Sequence, residues 1–242
     1  MPDNAASVTS QARRERTESA RLDNFVDGAF AFAVTLLVIS GGNLPHDVAA
    51  LEYALRGIPA FALCFSQLAL FWHGHVRWRD TCRLTDRRSL LLSLLLVFFA
   101  LIFVFPLYLL YSSFLSGISH GVLSPGFKFD PADLQGLRAM YACYGLSYAC
   151  MAGTLTWLFR HGLRHAASPD RESGISARVS MAIWAFCAAV GLLSALTIAF
   201  PFGNGKIVGV QFSLGGSCYA LLGFIGLIRR RYRRHLEATL PP

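Results

Sequence analysis

Apolar residues along this chain come in long blocks, not at amphipathic spacing. Six of the blocks are long enough to cross a bilayer: roughly residues 24 to 42, 50 to 75, 89 to 114, 137 to 160, 179 to 201 and 207 to 228. Short polar stretches separate them, the longest internal one being the Gly-, Ser- and Pro-rich segment from Ser116 to Leu134, which reads as an extracytoplasmic loop. The pattern predicts an all-α membrane protein with six transmembrane helices and no second soluble domain. Residues 1–20 form a polar N-terminal segment, residues 21–228 the six-helix domain and residues 229–242 a basic C-terminal segment. The polar start carries Arg13, Arg14 and Arg16, and no small-residue cleavage pattern follows the first apolar block, so that block is expected to be retained. Thr17 or Ser19 is a candidate cap for a short helix leading into it. Pro59, Pro106 and Pro201 fall within or at the end of spans, and each predicts a bend or a helix end.

Composition agrees with a bilayer environment, with 54% apolar and 15% charged residues. The basic residues add an orientation. Eighteen of the 22 Lys and Arg lie in the N-terminal segment through Arg21, the 76–88 and 160–178 loops, and the C-terminal segment, which predicts that both termini are cytoplasmic. The net charge of +8 is therefore mostly a topology signal. Split among four short flanks, it argues against nucleic-acid binding. The Arg229–Arg234 run reads as a stop-transfer flank that can also touch anionic lipid. The six cysteines show neither a disulfide framework nor a metal spacing, so no metal or cofactor is expected. With no organelle signal visible, the expected location is a prokaryotic inner membrane, spanned several times.

The first block, Asn24 to Ser40, carries one carboxylate, Asp27, in its first turn. A carboxylate at the threshold of a membrane helix is costly unless solvated or paired, which marks it as a candidate functional residue. At about 100° per residue, Gly28, Thr35, Leu36, Ile39 and Asn43 fall within roughly 60° of Phe32 and make one stripe. Small residues beside the stripe, Ala29, Ala31 and Ala33, suit close helix neighbours. If copies of the stripe faced one axis, Phe32, Leu36 and Ile39 would form an apolar constriction able to gate by dewetting, with Thr35 as a polar ring. An ordinary interhelical core shows the same spacing.

The second span ends at Trp72, His73, Gly74 and His75, at the level of Asp27. Arg21 and Asp27 are about 240° apart on a helix and poorly placed to pair, so Asp27 is expected to meet His75 or His73. An imidazole beside a carboxylate is tunable near neutral pH, and the same cluster can equally serve only to fasten helix ends, with Trp72 as an interfacial anchor.

These residues resemble a known pattern. Arg21, Phe25 and Asp27, followed by Gly28, Ala29, Phe30 and the Thr35–Leu37 run, are similar to the Arg-x-x-x-Phe-Ser-Asp signature of the transmembrane protein 175 family, lysosomal potassium channels and their prokaryotic relatives. Trp72 with His75 resembles the Trp-x-x-His that ends the family's second helix, and Phe105 with Pro106 a Pro-containing end of its third. The resemblance implies a potassium-permeable homotetramer without a re-entrant filter loop, its pore lined by the first helix of each subunit. It implies a constriction at Phe32, Leu36 and Ile39 with a threonine layer at Thr35, and potassium as the permeant ion. Val26 departs from the pattern by replacing its serine, and Phe32 by standing where an aliphatic side chain is expected.

The leading expectation is thus a passive, potassium-preferring channel that is not an enzyme and whose partners are membrane lipid, potassium and its own copies. A proton-coupled transporter using Asp27 and His75 is the runner-up, against which stands the position of that cluster at the membrane edge. A metal enzyme built on His73, His75, Asp80 and Asp86 is the third, and the two histidines point about 200° apart on a helix.

Overall fold

The structure is a computed structural model that describes residues 2–40, 46–84, 86–124, 134–165, 171–199, 216 and 218–239. Among these residues there is no strand. The helices are α1 (Pro2–Ser40), α2 (Val48–Leu55), α3 (Ile58–Cys82), α4 (Arg87–Ser119), α5 (Leu134–His165) and α6 (Arg171–Ala199), followed by a 3₁₀ segment (Cys218–Phe224) and α7 (Ile225–Thr239).

Among the described residues, three stretches are long and apolar enough to cross a membrane as single helices: Ala20–Ser40 of α1, α4 and α6. The block expected at 50–75 is broken. α2 and α3 meet at a 43° bend, with Gly57 capping α3 and Pro59 in its first turn, where a missing amide donor costs nothing. The pair counts as a fourth span if taken together. Pro106, in contrast, lies inside α4, which continues to Ser119; Pro201 lies outside the described residues.

α5 departs from the expectation in a way that has a physical cause. At 32 residues it is more than long enough to span, yet it is too polar to qualify by composition. It packs against α3, α4 and α6, and Tyr144, Tyr148, Met151, Ala152, Leu155, Leu158 and Phe159 are buried. A helix packed on three neighbours needs less apolar surface for lipid. The first part of the sixth expected block, 207–215, and residue 217 lie outside the described residues, so the six-span count is not reproduced.

An aromatic cluster fills the centre. Phe71 of α3 meets Phe103 of α4 edge-on at 5.9 Å, Tyr148 of α5 at 5.3 Å and stacks on Trp184 of α6 at 5.3 Å. Gly74 permits this, because a Cβ there would come within 2.5 Å of the Trp184 ring. Beside the same cluster, Gly145 of α5 and Gly191 of α6 cross backbone to backbone, each Cβ position lying 3.0 Å from the other's carbonyl oxygen. Such small-residue crossings let helices associate by van der Waals contact where lipid supplies no hydrophobic drive.

The two ends of the chain are more helical than their polarity suggests. α1 runs unbroken from Pro2, with no new start at Thr17 or Ser19. α7 contains the Arg229–Arg234 run and docks on the start of α6: Leu236 is buried with Ile175 and Val179, and Arg233 pairs with Glu172 at 3.2 Å.

Candidate functional site

The membrane part of α1 has two unlike faces. Leu22, Val26, Phe30, Ala33 and Leu37, spaced by three or four residues, are buried against α3 and α4. Phe25, Gly28, Phe32, Thr35 and Ile39 lie on the opposite face, open on the subunit surface, with Phe32 55% and Ile39 65% exposed. Leu36 sits between them, half-buried against the core. The stripe expected from spacing is therefore an outer face except at Leu36, and its last member, Asn43, lies outside the described residues.

Two details of this face bear on what it can do. A Cβ added at Gly28 would meet nothing within 4 Å, unlike Gly74 or Gly191, so the subunit's own packing does not call for a glycine there. The Thr35 hydroxyl donates to the Ala31 carbonyl at 3.2 Å, which turns its oxygen lone pairs outward as acceptors. The buried Val26 explains one departure from the signature: the position faces the core, where an aliphatic side chain packs and a hydroxyl would need a partner.

Asp27 does not take the expected imidazole partner. Its Oδ1 accepts from Trp72 Nε1 at 2.8 Å, while His75, 2% exposed, lies 3.0 Å through Nε2 from Ser93 Oγ on α4. The two titratable groups thus have different hydrogen-bond partners. Trp72 and His75 lie only about 60° apart on α3, yet the indole reaches Asp27 on α1 while the buried imidazole meets Ser93 on α4. Arg21 and Phe25 are exposed and His73 is also on the outside.

The stronger tie between α1 and the bundle involves residues that the spacing argument passed over. Arg79, 9% exposed, donates Nε to Asp23 Oδ1 at 2.6 Å and NH2 to Asp23 Oδ2 at 3.1 Å, a two-pronged pair, and also donates to the Leu84 carbonyl. It joins α1, α3 and the turn before α4 in one contact. Charge-assisted forks of this kind are short and directional. A signal existed in the sequence: an aspartate two residues from Arg21, and an arginine seven residues after Trp72 that counts only toward the basic flank.

A second tie lies between α4 and α5. Asp86 caps α4 by accepting from Arg88 N and Ser89 Oγ, and it accepts from His161 Nε2 at 2.8 Å. Burial by itself would raise the Asp86 pKa, but the bonds from Ser89, His161 and the Arg88 amide outweigh it and hold the carboxyl below its ordinary value. Asp86 is thus engaged in a helix cap, and among the described residues no group of three His, Cys, Asp or Glu is placed to hold a metal.

Residues 21–106 match the family described as the endosomal/lysosomal potassium channel TMEM175. Over this segment, about a third of its length, the chain is similar to the TMEM175 family. The match begins at Arg21 and ends at Pro106, and so encloses the α1 signature, Trp72, His75 and the Phe105–Pro106 pair. A protein of Marivirga tractuosa described as a potassium channel is 31% identical over 133 residues, 53% of each chain; this chain thus spans about half the length of that relative. The fold likeness reaches further. The crystal structure of a threonine-to-alanine variant of the potassium channel MtTMEM175, in complex with a nanobody–MBP fusion, aligns over 90% of this chain and 94% of its own, with a TM-score of 0.70 and 24% identity. The TMEM175 fold thus extends past the motif-bearing segment, and the family is one of membrane channels, not enzymes.

Proposed function

We propose that the chain is a potassium-preferring channel in which the first helices of four copies line a passive conduction path, narrowed by Phe32, Leu36 and Ile39 with Thr35 as a polar layer. One observation carries the reading: α1 keeps a continuous outer face, Phe25, Gly28, Phe32, Thr35 and Ile39, that its own subunit leaves open, and a glycine on it that only a close neighbour would require. The match of residues 21–106 to the TMEM175 potassium channel family supports potassium as the ion. Leu36, half-buried, would contribute an edge of its side chain to the path. The Asp23–Arg79 and Asp27–Trp72 contacts hold α1 at a fixed angle to α3, and His75–Ser93 ties α3 to α4, a positioning role. Six spans with both termini cytoplasmic, in a prokaryotic inner membrane, complete the proposal. Proton coupling through Asp27 and His75 is disfavoured by their separate partners.

The test is ion flux from liposomes holding the purified chain, under potassium and then sodium gradients. Potassium flux should exceed sodium flux, and Phe32→Ala should raise both while assembly is unchanged, because removing four rings widens and wets an apolar constriction. Unaltered flux from a correctly assembled Phe32→Ala protein would remove Phe32 from the path.

A further inference from the structure

Where α4 begins and α5 ends, the bundle carries a cluster of basic groups that the conduction reading does not use. A cavity of about 310 Å³ opens between the two helices, lined by Arg88, Leu91 and Leu92 of α4 and by Trp157, Arg160 and Arg164 of α5, with His161 and His165 beside them. A second groove, of about 370 Å³, runs between α5 and α6 over the small residues Gly153, Ala185, Ala188 and Ala189. Trp157 and Arg160 line both, so the indole, 62% exposed, is a ridge with an apolar trough on each side.

The charges there are not consumed by the protein. Among the described residues, the guanidinium groups of Arg88, Arg160 and Arg164 have no carboxylate partner. Asp86, at the start of α4, is occupied by Ser89, His161 and the Arg88 amide. Three exposed arginines at the rim of two apolar grooves, with a tryptophan between, match one kind of occupant in charge and shape. We propose that this is a binding site for an anionic diacyl phospholipid, its phosphate held by Arg88, Arg160 and Arg164 and its two acyl chains lying in the grooves on either side of Trp157.

The chemistry fits each part. Arginine presents planar forks that bind phosphate in a bidentate manner. Basic pockets between membrane helices take anionic headgroups, and tryptophan settles at the lipid interface. A free phosphate would use the arginines alone and leave the grooves idle, whereas a diacyl lipid uses both. The proposal rests on the chain's place in a membrane and is independent of what passes along α1.

Native mass spectrometry of the purified full chain tests it, with dioleoyl phosphatidylglycerol and dioleoyl phosphatidylcholine offered in equal amounts and inorganic phosphate as competitor. The unaltered chain should retain the glycerol lipid in preference, and inorganic phosphate should not displace it. Replacing Arg88, Arg160 and Arg164 together by Gln should cut that retention about tenfold or more. Arg160→Lys with Arg164→Lys, which keeps the charge should the triple variant fail to fold, should preserve most of the preference for the anionic lipid. Trp157→Ala should weaken retention with every arginine in place, while Arg229→Gln with Arg230→Gln should leave it as it was. Equal retention of the two lipids, full retention by the triple variant, or loss of both Lys and Gln variants to the same degree would overturn the site. Displacement by inorganic phosphate would overturn the acyl-chain part and reduce it to an anion site.

Discussion

The two faces of α1 are close in composition and opposite in circumstance. The inner face, Leu22, Val26, Phe30, Ala33 and Leu37, is sealed against α3 and α4; the outer face, Phe25, Gly28, Phe32, Thr35 and Ile39, is open on the subunit. Both hold phenylalanine, a branched aliphatic residue and a small residue. Hydropathy alone therefore does not separate a face that folds the subunit from one proposed to meet its copies; only the placement of the neighbouring helices does. The contrast predicts that inner-face changes act on subunit stability and outer-face changes on assembly and flux.

The contrast breaks most severely where α1 is anchored. Asp23→Asn leaves Arg79 buried without its counter-charge and should cost about 3 kcal/mol, the low end for a buried pair because Asp23 still meets water. Thermal unfolding in detergent checks this, and a midpoint unmoved from the parent would show that the pair is ornamental. Next comes a matched pair of truncations. Leu37→Ala, at a fully buried site, should destabilise by about 2–3 kcal/mol, and Ile39→Ala, two residues away and 65% exposed, by less than about 0.5 kcal/mol. Equal losses would mean that the faces do not differ as described.

Smaller is the effect of Trp72→Phe, which removes one hydrogen bond to Asp27 and should cost about 1 kcal/mol, with flux changed less than by Phe32→Ala. The smallest lies at Asp86. Its folded pKa is below the ordinary value, so its contribution is fully present above that ordinary value and is lost as pH falls through the folded one. Unfolding followed from pH 6 to acid should therefore show a flatter acid limb in Asp86→Asn than in the parent. Parallel limbs would contradict the cap's role.

The sequence made α1 legible to a useful depth. The spacing of Phe32, Thr35 and Ile39 identifies one face, and the signature from Arg21 to Asp27 lies within the family match. Leu36 was assigned to that face because 3.6-residue periodicity gives angles, not the position of the neighbouring helix that covers it. The partners of Asp27 and His75 were hidden for a similar reason. Depth along the membrane places Trp72, His73 and His75 at the level of Asp27, but depth alone does not decide which of them reaches it. Asp23–Arg79 joins residues 56 apart in the chain, and nothing local distinguishes Arg79 from the other arginines between positions 76 and 88. α5 misled hydropathy because protein, not lipid, surrounds its tyrosines.

The central claim is that ions pass along the outer face of α1. The direct measurement is potassium flux from liposomes before and after a membrane-impermeant charged thiol reagent, on a Cys143→Ser background that removes the exposed native thiol. Thr35→Cys should lose most of its flux on treatment, while Ala33→Cys, on the sealed face, and the background protein should keep theirs. Flux through Thr35→Cys that survives full modification, or equal loss in Ala33→Cys, would place the path elsewhere in the molecule.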